Sequence, residues 1–329
     1  KMTSIIITGA TGSIGAYTTL ILKEQGYDVI AVGRRKSDND FFKNYGIPYL
    51  SIDIRYKEQL RNLPSNPFAV IHLAGAMPAN MEGYYPQEYI DSIITGTFNI
   101  LEYCRTNNAN RILFSHSHSD TFHLMGTKRP IPSDINRSFP PTGDHSIYAI
   151  CKNAAVDLIE HYYYQYGLKR FIFRLPTIYC WNPNHYYYVN GVKTKIAYWY
   201  LIEQAMKSEQ IEIWGDPNRT KEIFYIKDLV EIFRLALIAN DEGGIFNVGS
   251  GIGVTLEEQI NGIIEVFSPE GKKSDIVYRP DKPDAHQFIH DISKTKKTLG
   301  FEPKYDYISL LRDIKAEMEL NRFSLLWGK

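Results

Sequence analysis

Thr8-Gly9-Ala10-Thr11-Gly12-Ser13-Ile14-Gly15 follows an apolar run, Ser4 to Thr8 (SIIIT), and leads into a stretch of helical spacing, Ile14 to Gln25. Strand, glycine-rich turn and helix in that order make a seat for a dinucleotide pyrophosphate. Glycine permits the tight turn, lets backbone N–H groups approach the phosphates, and lets the helix pack on the strand. The helix N-terminus adds unpaired donors and a partial positive charge. Three glycines at this spacing are weak evidence alone. Directly after the first strand of a βαβ series they are strong evidence.

The series continues outward from this turn. Asp28 to Gly33 (DVIAVG), Tyr49 to Ile54 (YLSIDI), Ala69 to Ala74 (AVIHLA), Arg111 to Ser115 (RILFS) and Arg170 to Arg174 (RFIFR) read as further strands. Asp91 to Cys104 and Tyr148 to Tyr166 read as helices. Continuously apolar strands alternating with helices predict an α/β fold, a Rossmann-type doubly wound parallel sheet covered on both faces. Beyond Pro176, Thr177 to Gly191 reads as loop over a cleft, and Thr194 to Lys207 as a helix. Ile223 to Ile226 and Gly244 to Val248 read as later strands, and Tyr307 to Leu320 as a final helix. Lys294, Lys296 and Lys297 read as a solvated helix face.

Composition narrows the function classes. The 329 residues carry 37 basic and 37 acidic side chains, so net charge gives no reason to bind nucleic acid or an anionic membrane. No run of ~18 apolar residues occurs, and the first strand begins too early for a signal peptide. Cys104, Cys151 and Cys180 form neither a disulfide framework nor a zinc site, which points to a reducing cytoplasm. His116, His118 and His123 lack a third ligand cluster, so no metal is expected. The 24 tyrosines are the unusual count. Tyrosine suits clefts and interfaces, where its ring buries and its hydroxyl stays paired.

The end of the second strand reads on the cofactor. An acid there would bind a ribose 2′-hydroxyl, whereas an arginine accommodates a 2′-phosphate. The strand ends Val32-Gly33-Arg34-Arg35-Lys36, with no acid before Asp38, which favours NADP over NAD. Asp53, after the third strand, either meets the adenine amino group or caps the following turn.

Tyr148 and Lys152 stand four apart, on one face of a helix. An ammonium beside a phenol favours phenolate and makes an acid/base usable near neutral pH. Among the tyrosines, only Tyr278 with Lys282 repeats the spacing, and that pair encloses Pro280, which breaks a helix.

With these motifs, the chain resembles the extended short-chain dehydrogenases/reductases of the nucleotide-sugar epimerase/dehydratase group. His72-Leu73-Ala74-Gly75, Gly96-Thr97 with Asn99, Arg174-Leu175 with Tyr179, and Trp214-Gly215-Asp216 fall in the family's order. Tyr225-Ile226-Lys227-Asp228, Asn247-Val248-Gly249, Arg279-Pro280 and Leu299-Gly300-Phe301 continue it. The resemblance implies a Rossmann domain over residues 1–175 with 222–250 returning to it. Residues 176–221 and 251–329 would form a smaller C-terminal α/β substrate-binding domain. It implies Ser117 at the end of the fifth strand as the residue polarising the substrate oxygen, with Ser115 and Ser119 as register alternatives. Tyr148 would move the proton, and Lys152 would hold the ribose.

It further implies a cofactor site of Gly9, Thr11, Gly12, Ser13, Ile14, Gly15, Asp53, Ile54, Leu73, Ala74, Gly75, Tyr148, Lys152 and Pro176, joined by Arg34 and Arg35. Ser117, His118, Tyr179, His185, Lys221 and Arg279 would meet a nucleotide-diphosphate sugar, with Tyr186 to Tyr188 as a wall of its pocket or as loop packing. A homodimer through Asp91 to Cys104 and Tyr148 to Tyr166 is implied by the resemblance alone. The activity implied is C4 epimerisation or ketosugar reduction. A catalytically inert sensor or scaffold of the same fold is the rival, disfavoured by the intact Ser117, Tyr148 and Lys152.

Departures restrict the reading. The family's 4,6-dehydratases carry an Asp-Glu pair where His118 and Ser119 stand, which speaks against that elimination. No cysteine lies beside Ser117, unlike the reductase-epimerases that make GDP-fucose. Lys221 replaces a family arginine, with Arg219 two residues earlier, and lysine lacks the bidentate fork. The stretch Asp120 to Ser146 is longer than usual for the family.

Overall fold

The computed structural model describes residues 4–328; the outer ends of the expected domain ranges, residues 1–3 and 329, lie outside the described residues. Seven parallel strands form the central sheet: β1 (Ile5–Thr8), β2 (Val29–Gly33), β3 (Tyr49–Ser51), β4 (Ala69–His72), β5 (Arg111–Ser117), β6 (Lys169–Leu175) and an edge strand, Gly243–Asn247. Their spatial order is β3-β2-β1-β4-β5-β6 and then the edge strand. The order therefore reverses between β1 and β4, and a doubly wound sheet opens its ligand crevice at that point. Residues 5–8 and 69–72 are buried throughout, because helices cover both faces.

Helix α1 (Ser13–Glu24) and the helices Ile226–Ile238, Leu256–Phe267 and Tyr307–Leu320 share one apolar cluster with one face of the sheet. The helices Gly96–Thr106 and Asp144–Tyr166 line the other face. The helix Tyr307–Leu320 has the span read from its apolar spacing, but a short helix, Ser324–Trp327, follows it, and other elements differ. The expected helix over Asp91 to Cys104 runs from Pro86–Tyr89 through a π-helical stretch, Ile90–Thr95, into Gly96–Thr106. Side-chain spacing does not reveal such a stretch. A Cβ on Gly96 would lie 2.7 Å from Ile54 Cδ1, so this helix rests directly on the segment after β3. Asp144–Tyr166 starts four residues before Tyr148 and ends at Gly167, with φ +72 in the left-handed region that favours glycine.

The stretch expected as loop contains a hairpin. Tyr186–Val189 pairs antiparallel with Val192–Lys195 around Asn190-Gly191, whose φ values are +48 and +75. Asn-Gly suits a two-residue turn with both central residues left-handed. The following helix, Ala197–Met206, is shorter than expected because the hairpin takes Thr194 and Lys195. Lys294 is not simply solvated: its Nζ donates to Ile245 O at 2.9 Å. No helix among the described residues is long and apolar enough to cross a membrane.

Candidate active site

The glycines of the first turn have separate jobs. Gly9 has φ +68, and a Cβ there would sit 2.9 Å from Ala74 N. A Cβ on Gly15 would lie 2.0 Å from Gly9 O, so α1 could not pack where it does. Gly12 differs: its nearest neighbour would be Gly9 O at 3.5 Å, an ordinary contact. Protein packing therefore does not require glycine at position 12, which is where backbone would face an incoming phosphate. Neither a side-chain cap nor an acidic residue occupies the first turn of α1. This cradle fits a dinucleotide pyrophosphate.

Its frame is buried and neutral. Thr8 Oγ1 contacts His72 Nδ1 at 2.8 Å and accepts from Leu73 N and Ala74 N at 3.1 and 3.2 Å. His72 Nε2 contacts Thr97 Oγ1 at 3.0 Å. Burial, aided by the Lys152 charge, pulls the His72 pKa down to about 3, so its ring is an uncharged clasp between β1, β4 and the helix. Ser13 Oγ accepts from Asn182 Nδ2 at 2.7 Å, and Trp327 Nε1 donates to Thr11 O at 3.0 Å.

At the end of β2 the two arginines part. Arg34 is exposed, with Nη1 3.8 Å from a Glu88 carboxylate oxygen. Arg35 turns away and donates from Nη1 to Leu326 O at 2.7 Å. Arg35, expected at the cofactor, is thus engaged by the Leu326 carbonyl instead, while Arg34 stays exposed at the strand end. Leu326 lies nearly 300 residues downstream, beyond any local reading of β2. Asp53 accepts from Arg55 N at 3.1 Å and pairs with Arg55 Nη2 at 2.7 Å, the turn-capping alternative. Burial pushes the Asp53 pKa up, but the Arg55 hydrogen bonds and charge outweigh it and hold the carboxyl below its usual range.

Ser117 ends β5, and its hydroxyl acts on the Tyr148 phenol to favour the phenolate. Ser117 Oγ also accepts from Ser119 N at 3.1 Å. Lys152 Nζ lies 5.7 Å from the Tyr148 ring centre and donates to Ser115 O at 2.7 Å. Of the three serines, Ser117 is the one that acts on the phenol, Ser115 offers its carbonyl to the lysine, and Ser119 is enclosed without a side-chain partner.

The expected pKa lowering of the tyrosine is not what this geometry gives. Burial raises the Tyr148 pKa well above the ordinary phenol value, outweighing the Ser117 hydroxyl. Burial also pulls Lys152 down, from 10.5 to about 7. Both groups are thus held toward their neutral forms. Between those two pH values the unfolded chain keeps the lysine proton and the folded chain does not. Stability should therefore rise with pH from about 7 to 10.5, by at most ~1.4 kcal/mol per pH unit from this group. Urea unfolding across that range should show the slope in the wild type and lose it in Lys152→Met.

The substrate-side residues are dispersed. His118 follows Ser117 and packs edge-on against Phe122 and Phe288, with ring centres at 5.3 and 5.7 Å. Burial drives its pKa down to about 3. Lys221 lies on the short strand Thr220–Glu222, bridged to Val254 and Phe288. Arg279 is held by Glu212 at 3.0 Å and Asp281 at 2.9 Å. Tyr179 stacks on Tyr198 at 4.1 Å, and His185 stacks on Trp199 at 4.2 Å while contacting Glu203. These last two serve an aromatic cluster. Tyr186 to Tyr188 lie on the hairpin, with Tyr186 exposed beneath Lys193 and Lys195. A cleft of about 520 Å³ opens beside the first turn of the Tyr148 helix, bordered by Tyr84, Asp144, Ile147 and Asn190.

Sequence reasoning missed Glu222, His290 and His145. Glu222 and His290 are separated by 68 residues yet contact each other in the interior, and no local pattern marks that pairing. His145 lies one turn before Tyr148, with ring centres 6.5 Å apart.

Residues 5–249 match the family described as NAD-dependent epimerase/dehydratase. The chain belongs to that family. It is similar to a putative UDP-glucose 4-epimerase of Methanocaldococcus jannaschii, 26% identical over 92% of this chain and 94% of the relative. It is also similar to a UDP-glucuronate 4-epimerase of Thermodesulfobacterium geofontis, 27% identical over 91% of each. The solved UDP-N-acetylglucosamine 4-epimerase of Bacillus cereus shares its fold, with a TM-score of 0.78 and 24% identity over 96% of this chain and 99% of that one.

In this epimerase/dehydratase family member the cysteines do no exposed chemistry. All three are buried, and burial pushes the Cys104, Cys151 and Cys180 thiols up to about 12, 11 and 12. Among the described residues no group of three or more His, Cys, Asp or Glu side chains is arranged to hold a metal ion. His116 instead contacts Asp120, and His123 contacts Ser138 O.

Proposed function

We propose that the protein is a nucleotide-diphosphate-sugar 4-epimerase acting on UDP-sugars. The observation that carries this reading is Ser117 at the end of β5 beside the helix that carries Tyr148 and Lys152 one turn apart, with Lys152 Nζ donating to Ser115 O at 2.7 Å. A bound nicotinamide would supply the hydride acceptor and donor. Tyr148 takes the proton from the C4 hydroxyl and later returns it, while Ser117 holds that oxygen. Lys152 binds the ribose one helical turn from the phenol. The glycine turn from Gly9 to Gly15 holds the pyrophosphate, with Leu73, Ala74, Gly75 and Pro176 lining the crevice. His118, Lys221 and Arg279 are the polar groups offered to the nucleotide sugar, and Arg279 would have to exchange its carboxylate partners to reach a diphosphate.

Incubation with UDP-glucose, UDP-glucuronic acid and UDP-N-acetylglucosamine tests the reading. The C4 isomer should form with no net change in nicotinamide absorbance. Arg34 supports a second reading, a ketosugar reductase using exchangeable NADPH, in which absorbance falls with a keto-sugar. Arg34 also sets the cofactor expectation. Its charge would favour NADP, so Arg34→Ala should weaken NADP+ binding by roughly tenfold and leave NAD+ binding unchanged, as measured by calorimetry. Exposed Phe98, Ile150 and Tyr164 on the two helices suit a homodimer.

A further inference from the structure

The short helix Ser324–Trp327 is bonded to two segments that end at the same crevice, the glycine turn after β1 and the chain after β2. Trp327 Nε1 donates to Thr11 O at 3.0 Å, inside the glycine turn. On the other side, Arg35 Nη1 donates to Leu326 O at 2.7 Å and Asn39 Nδ2 to Leu325 O at 3.0 Å. Aromatic rings root the helix. Phe323, fully buried, has its ring centre 4.5 Å from Tyr17 of α1, 5.5 Å from Phe41 after β2 and 4.7 Å from Trp327. The two bracketed segments also close on each other, because a Cβ on Gly33 would lie 3.1 Å from Thr11 Cγ2.

The Thr11–Gly12 peptide unit is held at both ends. Its carbonyl accepts from the Trp327 indole, and its N–H, on Gly12, donates to Gly9 O at 3.1 Å. A peptide unit is planar, with C=O and N–H on opposite sides, so these two bonds fix its orientation. The unit leads directly into α1, where Ala16 N donates to Gly12 O at 2.9 Å as the first helical bond. The N–H groups of Ser13, Ile14 and Gly15 come before that bond and have no carbonyl of the helix to meet. These are the donors a pyrophosphate takes, and no side-chain cap competes for them. The helix α1 makes its own bonds without Trp327. The indole therefore contributes the orientation of the turn rather than the existence of the helix.

We propose that Trp327 is a positioning residue for the dinucleotide: by holding Thr11 O it aims the N–H groups of the glycine turn at the pyrophosphate, and Arg35 serves by anchoring the helix that carries Trp327 rather than by meeting the cofactor. This rests on the glycine turn holding a dinucleotide and is independent of which sugar is turned over. Binding and docking are reciprocal. Whatever factor the docked helix adds to dinucleotide affinity, the bound dinucleotide adds to the docked state of the helix. The helix Ser324–Trp327 therefore tightens when the crevice is filled and loosens when it empties. Retention of the cofactor, which an epimerase that recycles its nicotinamide needs, is thereby tied to a contact made 316 residues away in the chain.

Calorimetric titration of the full chain with NAD+, NADP+ and UDP tests the role. Trp327→Phe keeps a ring against Phe323 and removes the N–H. Its affinity for NAD+ and NADP+ should fall about three- to tenfold, the worth of one net hydrogen bond, while its affinity for UDP stays within about twofold. Arg35→Met should weaken NAD+ and NADP+ to the same extent. Hydrogen exchange of the wild type gives a readout that a purely structural contact would not move. NAD+ should slow exchange of the Trp327 and Gly328 amides, which donate to Phe323 O and Ser324 O, by the factor lost in Trp327→Phe. Unchanged dinucleotide affinity in Trp327→Phe, or exchange at those amides that does not respond to NAD+, overturns the positioning role and leaves the cofactor site standing. Equal weakening of UDP in Trp327→Phe means a general loosening and overturns it as well. A loss confined to NADP+ in Arg35→Met places Arg35 on the 2′-phosphate and overturns its anchoring role. Wild type that binds neither dinucleotide overturns this inference and the cofactor site together.

Discussion

Tyr148→Phe should lower kcat by about 10²–10⁴-fold, the usual worth of a positioned acid/base, while changing KM far less. The phenol acts on the proton that moves in the transition state, so its loss does not remove ground-state binding. The change deletes one hydroxyl and keeps the ring, which packs beside Tyr89 and His145 at 6.1 and 6.5 Å. Ser117 still accepts from Ser119 N, so the strand end keeps its local bond. Dinucleotide affinity, read by fluorescence quenching, should survive within a few-fold. A variant that retains full turnover would remove Tyr148 from the mechanism. A variant that retains the biological role with no turnover would favour a sensor.

How much of this was readable beforehand depended on sequence distance. β1, the glycine turn and α1 are contiguous, and the three glycines carry constraints a reader can infer from spacing alone. Tyr148 and Lys152 are four apart on a helix, so their shared face was legible. Ser117 could be placed by the end of an apolar strand and a family pattern, but only packing singled it out over Ser115 and Ser119. Asn190-Gly191 carries a hairpin signal, masked by the prolines and tyrosines that surround it. Other features lay beyond local pattern. Arg35 is diverted by the carbonyl of Leu326, and Glu222 meets His290, through contacts that only the tertiary fold creates. The direction of the Tyr148 shift was also hidden, since burial depends on the whole surrounding core.

Asp120→Ala should destabilise the fold by about 3–5 kcal/mol, because it strands a buried guanidinium. Arg174 donates to Asp120 from Nε at 3.0 Å and from Nη2 at 3.2 Å, and the two side chains are 3% and 0% exposed. His116 Nε2 meets the same carboxylate at 3.0 Å. Arg174 Nη1 reaches Asn247 Oδ1 and Ser133 O, both at 2.9 Å, so one cluster ties β5, β6 and the edge strand just behind Ser117. Burial pushes the Asp120 pKa up, but His116 and Arg174 outweigh it and hold it near about 2, below the ordinary 3.8. A depressed carboxylate contributes stability above its unfolded pKa and loses it as pH falls through the folded value. Urea midpoints should therefore drop between about pH 4 and pH 2 in the wild type, and this component should be missing in Asp120→Ala. Adding Arg174→Met to the variant should recover most of the loss at neutral pH, since the unpaired charge is then gone. A single variant costing under about 1 kcal/mol would mean that the guanidinium finds water or another acceptor, and the cluster would no longer explain how the Ser117 end of β5 is held.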